Sequence, residues 1–124
     1  MNVVGMGTDL VEVPRFRRAL ERRTKMAERL FSDAEREYAE RAVDPSIRLA
    51  ARFAAKEAVM KALGVGLGAF KLRDVEVVKR PGGAPELVLV GAAAELAEKS
   101  SVREWHLSLT HTDTMAMAIV LALG

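Results

Sequence analysis

Two carboxylates in this sequence stand where apolar packing is expected. Asp9 lies in the middle of Gly5-Met-Gly-Thr-Asp-Leu-Val-Glu-Val13, a run that reads as a β-strand. Strand alternation groups it with Val3, Gly5, Gly7, Val11 and Val13, a side with no other charge, and the two glycines imply open space beside it. Glu57 lies in an alanine-rich helical run from Ser46 to Leu63. At about 100° per residue it shares a side with Ala50, Phe53, Ala54 and Lys61. Arg48, Arg52 and Lys56 then face the opposite side, expected in solvent.

Alone, each charge has an ordinary explanation. Asp9 can cap backbone donors at a strand end, and Glu57 with Lys61 can form an i,i+4 ion pair of ~0.3–0.5 kcal/mol. Yet a charge facing packed alanines is desolvated, and one lysine is thin compensation. As a pair, two carboxylates from separate elements in one cleft repel unless a cation joins them. With no cysteine and only His106 and His111 as histidines, the cation they suit is hard, Mg²⁺ before Zn²⁺. Mg²⁺ is commonly held by one or two carboxylates, water and substrate phosphates, so a phosphorylated substrate follows, with Lys61 as a point charge beside it. Gly64-Val-Gly66-Leu-Gly68 either admits a ligand close to the backbone or is a helix cap and turn; it lacks the Walker ending and follows no strand. His106 reads as a strand-surface residue. His111 opens a polar turn, as an ordinary turn residue or facing a phosphate or a neighbouring subunit.

The elements that must position these groups follow from local signals. Val3 to Val13 is a strand ending at Pro14, and a helix is predicted from there to about Leu30. Phe16, Ala19, Leu20, Ala27 and Leu30 form its apolar stripe. Arg15, Arg18, Arg22, Lys25 and Arg29 form a second, cationic ridge. Ser32-Asp-Ala-Glu35 matches a capping box opening a short helix to about Ala42, ended near Asp44-Pro45. Gly64 closes the Ser46–Leu63 helix. Val75 to Lys79 and Leu87 to Val90 flank the turn Pro81 to Pro85 as a hairpin, Gly91 to Lys99 is a short helix, and Trp105 to Thr110 with Met115 to Leu121 are a second antiparallel pair. Strands and helices mix without βαβ alternation, so the expected class is α+β, a mainly antiparallel sheet on a long central helix.

The chain has 124 residues, half of them hydrophobic and 29% charged, with a formal net charge of +2. That length supports one core, so a single domain over residues 1–124 is expected. No basic leader precedes an apolar run and no stretch approaches ~20 apolar residues, so no membrane association and a cytoplasmic location are expected.

Three blocks resemble one family: Gly5 to Val13, then Arg52-Phe-Ala-Ala-Lys-Glu-Ala-Val-Met-Lys-Ala-Leu-Gly64, then Ser108-Leu-Thr-His111. In this order they resemble the bacterial holo-(acyl-carrier-protein) synthases, the small 4'-phosphopantetheinyl transferases, over nearly the whole chain. The resemblance implies Asp9 and Glu57 as Mg²⁺ ligands and Lys61 on the coenzyme A phosphates, with Glu57 and Lys61 catalytic. It implies His111 and Thr112 in a coenzyme site to which a neighbouring subunit of a homotrimer contributes, and Arg52, Phe53, Gly64 and Pro85 as further coenzyme contacts. The implied reaction is attack by a serine of apo acyl carrier protein on coenzyme A in fatty acid biosynthesis, with Glu57 orienting or deprotonating the serine through an intervening water. The cationic ridge would meet the acidic helix of the carrier. A nucleic-acid reading of the ridge lacks aromatic stacking partners among the six aromatic residues and leaves Asp9 and Glu57 unexplained, so no nucleic-acid partner is expected. A trimeric relative without activity would show no Mg²⁺-dependent affinity for coenzyme A.

Overall fold

A computed structural model describes residues 1–124. Its elements run β1 (Val3–Glu12), α1 (Val13–Arg22), α2 (Met26–Leu30), α3 (Asp33–Glu40), α4 (Pro45–Leu63), a one-turn 3-10 helix (Leu72–Asp74), β2 (Val75–Lys79), β3 (Pro85–Leu89), α5 (Gly91–Lys99), β4 (Glu104–His111) and β5 (Met115–Leu123). One antiparallel sheet has the order β1-β5-β4, and β2 and β3 form a separate hairpin. The α+β class read from the sequence is what the chain adopts.

Helix α4 is central because its neighbours can come close. Alternate residues of β5, Ala116, Ala118, Val120 and Ala122, are fully buried, as are Ala50, Ala54 and Ala58 of α4. Small side chains on both faces let the helix axis approach the sheet. At β1 the approach is closest. A Cβ placed on Gly5 would lie 1.8 Å from the Ala62 carbonyl oxygen, and one on Gly7 1.8 Å from that of Ala58. The open space expected beside these glycines is therefore filled by the helix backbone. Gly7→Ala should lower stability by roughly 2–3 kcal/mol in urea unfolding, because the obstructing atoms are main chain and cannot swing aside.

Two other expectations are corrected. The helix predicted from Pro14 to Leu30 is broken at Arg23, whose backbone is extended at φ −118° and ψ 90°. A straight helix of that length would run about 25 Å and carry Phe31 off the body of the protein. The break instead returns Phe31 to full burial, edge-on to Phe16 at 6.3 Å. Second, Arg52 and Lys56 do not face solvent: they are 4% and 0% exposed. Helix α3 and the hairpin cover that side of α4. Lys56 Nζ donates to Glu35 Oε1 at 2.8 Å, to the Leu72 carbonyl at 3.1 Å and to the Val75 carbonyl. Glu35 closes the capping box with Ser32 and accepts from the Val77 N–H through its other oxygen at 3.0 Å. A fully buried carboxylate and ammonium are thus each satisfied by several partners, the condition under which such a pair is tolerated.

Candidate active site

Asp9 and Glu57 meet in one cavity. It measures about 330 Å³, and Asp9, Glu12, Arg15, Phe16, Phe53 and Glu57 are among its walls. β1 supplies Asp9 from the side of the strand that faces α4, and the fourth turn of α4 supplies Glu57. The side chain of Asp9 is 19% exposed. Burial pushes the Glu57 carboxyl above its ordinary value, the negative charge of Asp9 pushes it further, and Lys61 only partly offsets the two. Asp9, Glu12 and Glu57 thus put three carboxylates on the walls of this cavity against one lining cation, Arg15, with Lys61 reaching Asp9.

Lys61 is placed differently from the i,i+4 expectation. Its ammonium bends over the free edge of β1, donating to the Thr8 carbonyl at 2.8 Å and to Asp9 Oδ1 at 3.3 Å, and it forms no ion pair with Glu57. Asp9 is correspondingly paired with a side chain rather than capping strand-end donors.

Glu57 and Phe53 also wall a second, larger cavity of about 730 Å³. Here Arg22, Arg23, Lys25 and Arg29 rim an apolar floor that includes Met26, Leu30, Leu67 and Leu72. The break after α1 folds the cationic ridge around this opening. Arg15 lines the Asp9 cavity, while Arg22, Lys25 and Arg29 line the larger one, and Arg18 stands exposed between them on α1. None of the five enters an ion pair; the neighbouring Arg17 does, with Asp44 at 2.5 Å. Arg23, Met26, Leu67 and Leu72 were not singled out from the sequence. Arg23 leaves a signal there as one of seven basic residues between Arg15 and Arg29, and Leu67 as a leucine inside a glycine turn, 82% exposed.

The remaining predicted site residues lie elsewhere in the chain. Arg52 stacks on the Tyr38 ring at 4.4 Å, on the far side of α4, and its Nε has no partner. Pro85 begins β3, beside a cavity walled by Arg103 to Leu107. His111 and Thr112 are exposed at the end of β4, and the register separates His111 from β1 by the whole width of β5. Gly64 caps α4 in the left-handed conformation at φ 70°, with nothing within 4 Å of an added Cβ. A single chain does not bring Arg52, Pro85, His111 or Thr112 to the Asp9 cavity.

A divalent cation fits the donor set. No group of three or more His, Asp or Glu is assembled, so a metal bound wholly by protein is not offered. Two hard carboxylate oxygen donors with unmet negative charge suit Mg²⁺, which takes its other ligands from water and phosphate.

Comparison with known proteins identifies the family. The model of the 4'-phosphopantetheinyl transferase superfamily matches residues 5–120. The chain belongs to that superfamily. It is 48% identical over 122 residues, covering 98% of both chains, to the holo-(acyl-carrier-protein) synthase of Frankia alni. Among solved structures, the synthase of Neisseria meningitidis superposes with a TM-score of 0.89 at 30% identity, covering 99% of this chain and all of the other. The Helicobacter pylori synthase, solved in complex with coenzyme A, superposes with a TM-score of 0.83 at 30% identity, covering 95% and 99%. The protein is thus an enzyme of the phosphopantetheinyl transferase class, with the α+β fold of those synthases. None of its helices is long and apolar enough to cross a membrane.

Proposed function

We propose that this transferase, acting as a single domain over residues 1–124, moves 4'-phosphopantetheine from coenzyme A to a serine of apo acyl carrier protein, in a Mg²⁺-dependent step of fatty acid biosynthesis in the cytoplasm. The observation that carries the reading is the convergence of Asp9 and Glu57 on one undercompensated cavity. These two carboxylates would hold the ion. When bound, Mg²⁺ would supply charge neutralisation to the diphosphate. The serine oxygen forms a bond to the β-phosphorus, the bond from that phosphorus to the bridging oxygen breaks, and 3',5'-ADP leaves.

The chain's own residues do the rest. The raised Glu57 carboxyl suits a group that accepts the serine proton directly or through a water. Lys61, exposed on a flexible stem, would turn from Asp9 to the phosphates and offset charge on the leaving group. Phe53 walls both cavities and would pack against the coenzyme.

A homotrimer would explain why Arg52, Pro85, His111 and Thr112 lie away from Asp9 in one chain, since a neighbour could bring them. The sheet face turned away from α4 supports that reading. Met6, Leu10 and Ile119 on it are 67%, 60% and 41% exposed, an apolar surface of the kind that copies of a chain cover.

The free cations Arg15, Arg18, Arg22, Lys25 and Arg29 surround the approach to Glu57 and would receive the acidic carrier. Arg18→Glu should slow association several-fold at low salt and flatten its salt dependence, read by stopped-flow titration with apo carrier. Unchanged kinetics would remove the ridge from docking. The function is tested by incubating apo carrier, coenzyme A and Mg²⁺ with the protein. Mass spectrometry should show the carrier gaining one phosphopantetheine group, and an unmodified carrier would refute the activity.

A further inference from the structure

Lys61 touches the carboxylate that the ion needs. Its ammonium lies 3.3 Å from Asp9 Oδ1 and is anchored by the Thr8 carbonyl, an acceptor left free because β1 is an edge strand. The same lysine follows Glu57 by one turn of α4. One lysine is thus counter-charge to both proposed ligands. Its side chain is 56% exposed, so nothing packs it into that position.

We propose that Lys61 competes with the divalent cation for Asp9, and that this competition makes cation and coenzyme bind as a coupled pair. The inference rests on the reading of Asp9 and Glu57 as Mg²⁺ ligands. An ammonium and a dication drawn to one carboxylate repel, and a few ångströms apart at a partly exposed site the repulsion corresponds to about tenfold in affinity. A diphosphate removes the conflict, because its oxygens give the ammonium a second partner. The cation alone then binds weakly, the cation with coenzyme binds well, and each improves the other's affinity by the same factor. Lysine suits this exchange better than arginine, whose planar fork would grip Asp9 through two bonds and be slower to leave.

The test titrates Mn²⁺, followed by the electron paramagnetic resonance of the free ion, into wild type, Lys61→Met and Lys61→Arg, with and without coenzyme A. Without coenzyme, Lys61→Met should bind Mn²⁺ about tenfold more tightly than wild type, whereas Lys61→Arg should bind no more tightly than wild type. Coenzyme A should improve Mn²⁺ affinity about tenfold less in Lys61→Met than in wild type. Lys61→Gln, a second neutral variant, guards against a local effect of methionine, and circular dichroism checks the fold of each. Equal affinity of wild type and both neutral variants for Mn²⁺ alone overturns the competition and leaves the metal reading standing. Absence of Mn²⁺ binding to wild type with coenzyme A, or binding undiminished by Asp9→Asn, overturns the metal reading and this inference together.

Discussion

Glu57→Gln should cut kcat at least ~100-fold while leaving the fold intact and, near neutral pH, more stable than wild type. The activity loss follows from placing Glu57 both on the ion and beside the attacking serine. The stability gain follows from its pKa. Burial first, and Asp9 second, raise the folded-state value above the unfolded one. A carboxyl raised in this way contributes stability below its unfolded pKa, and that contribution is lost as pH rises through the folded pKa. Above that range the ionised Glu57 is a cost that glutamine lacks. The melting temperature of Glu57→Gln should therefore match wild type in acid and rise above it as pH approaches neutral, in buffer without divalent ions. A variant that lost activity and stability in parallel would assign Glu57 to folding instead.

Lys56→Met should be the most damaging single change to stability among the charged residues, at ~3–5 kcal/mol in urea unfolding. The substitution leaves the Glu35 carboxyl without its ammonium partner at zero exposure and strips the Leu72 and Val75 carbonyls of their donor. Those carbonyls bracket the 3-10 turn that carries Leu72 into the larger cavity, so binding should weaken as well as folding. Adding Glu35→Gln to Lys56→Met should restore part of the loss, because the stranded carboxyl is gone. A double variant whose cost equals the sum of the single costs would deny the coupling.

The parts of this molecule legible in the sequence are those fixed within a few residues. The Ser32–Glu35 capping box, the Gly64 cap and the β2–β3 hairpin are local devices, and the chain forms each. The break at Arg23 was not legible, since it is set by where Phe31 must pack. Nor was the burial of Arg52 and Lys56. A helical wheel shows stripes but not how many layers cover them, and here α3 and the hairpin bury a stripe that reads as solvated. For the candidate site, the legible signal is a charge on a small-residue face, which picks out Asp9 and Glu57, and the fold brings both to one cavity. Helical spacing sets Lys61 one turn from Glu57, but the edge of β1 offers it a carbonyl and a carboxylate that spacing cannot reveal.

Isothermal titration of coenzyme A into the protein, with Mg²⁺ and again with chelator, bears most directly on the idea that Asp9 and Glu57 share an ion completed by a diphosphate. Wild type should bind coenzyme A at least ~10-fold more tightly with Mg²⁺, and Asp9→Asn should bind it with nearly the same affinity in both buffers. Wild-type affinity that is equal with and without the ion would contradict the account.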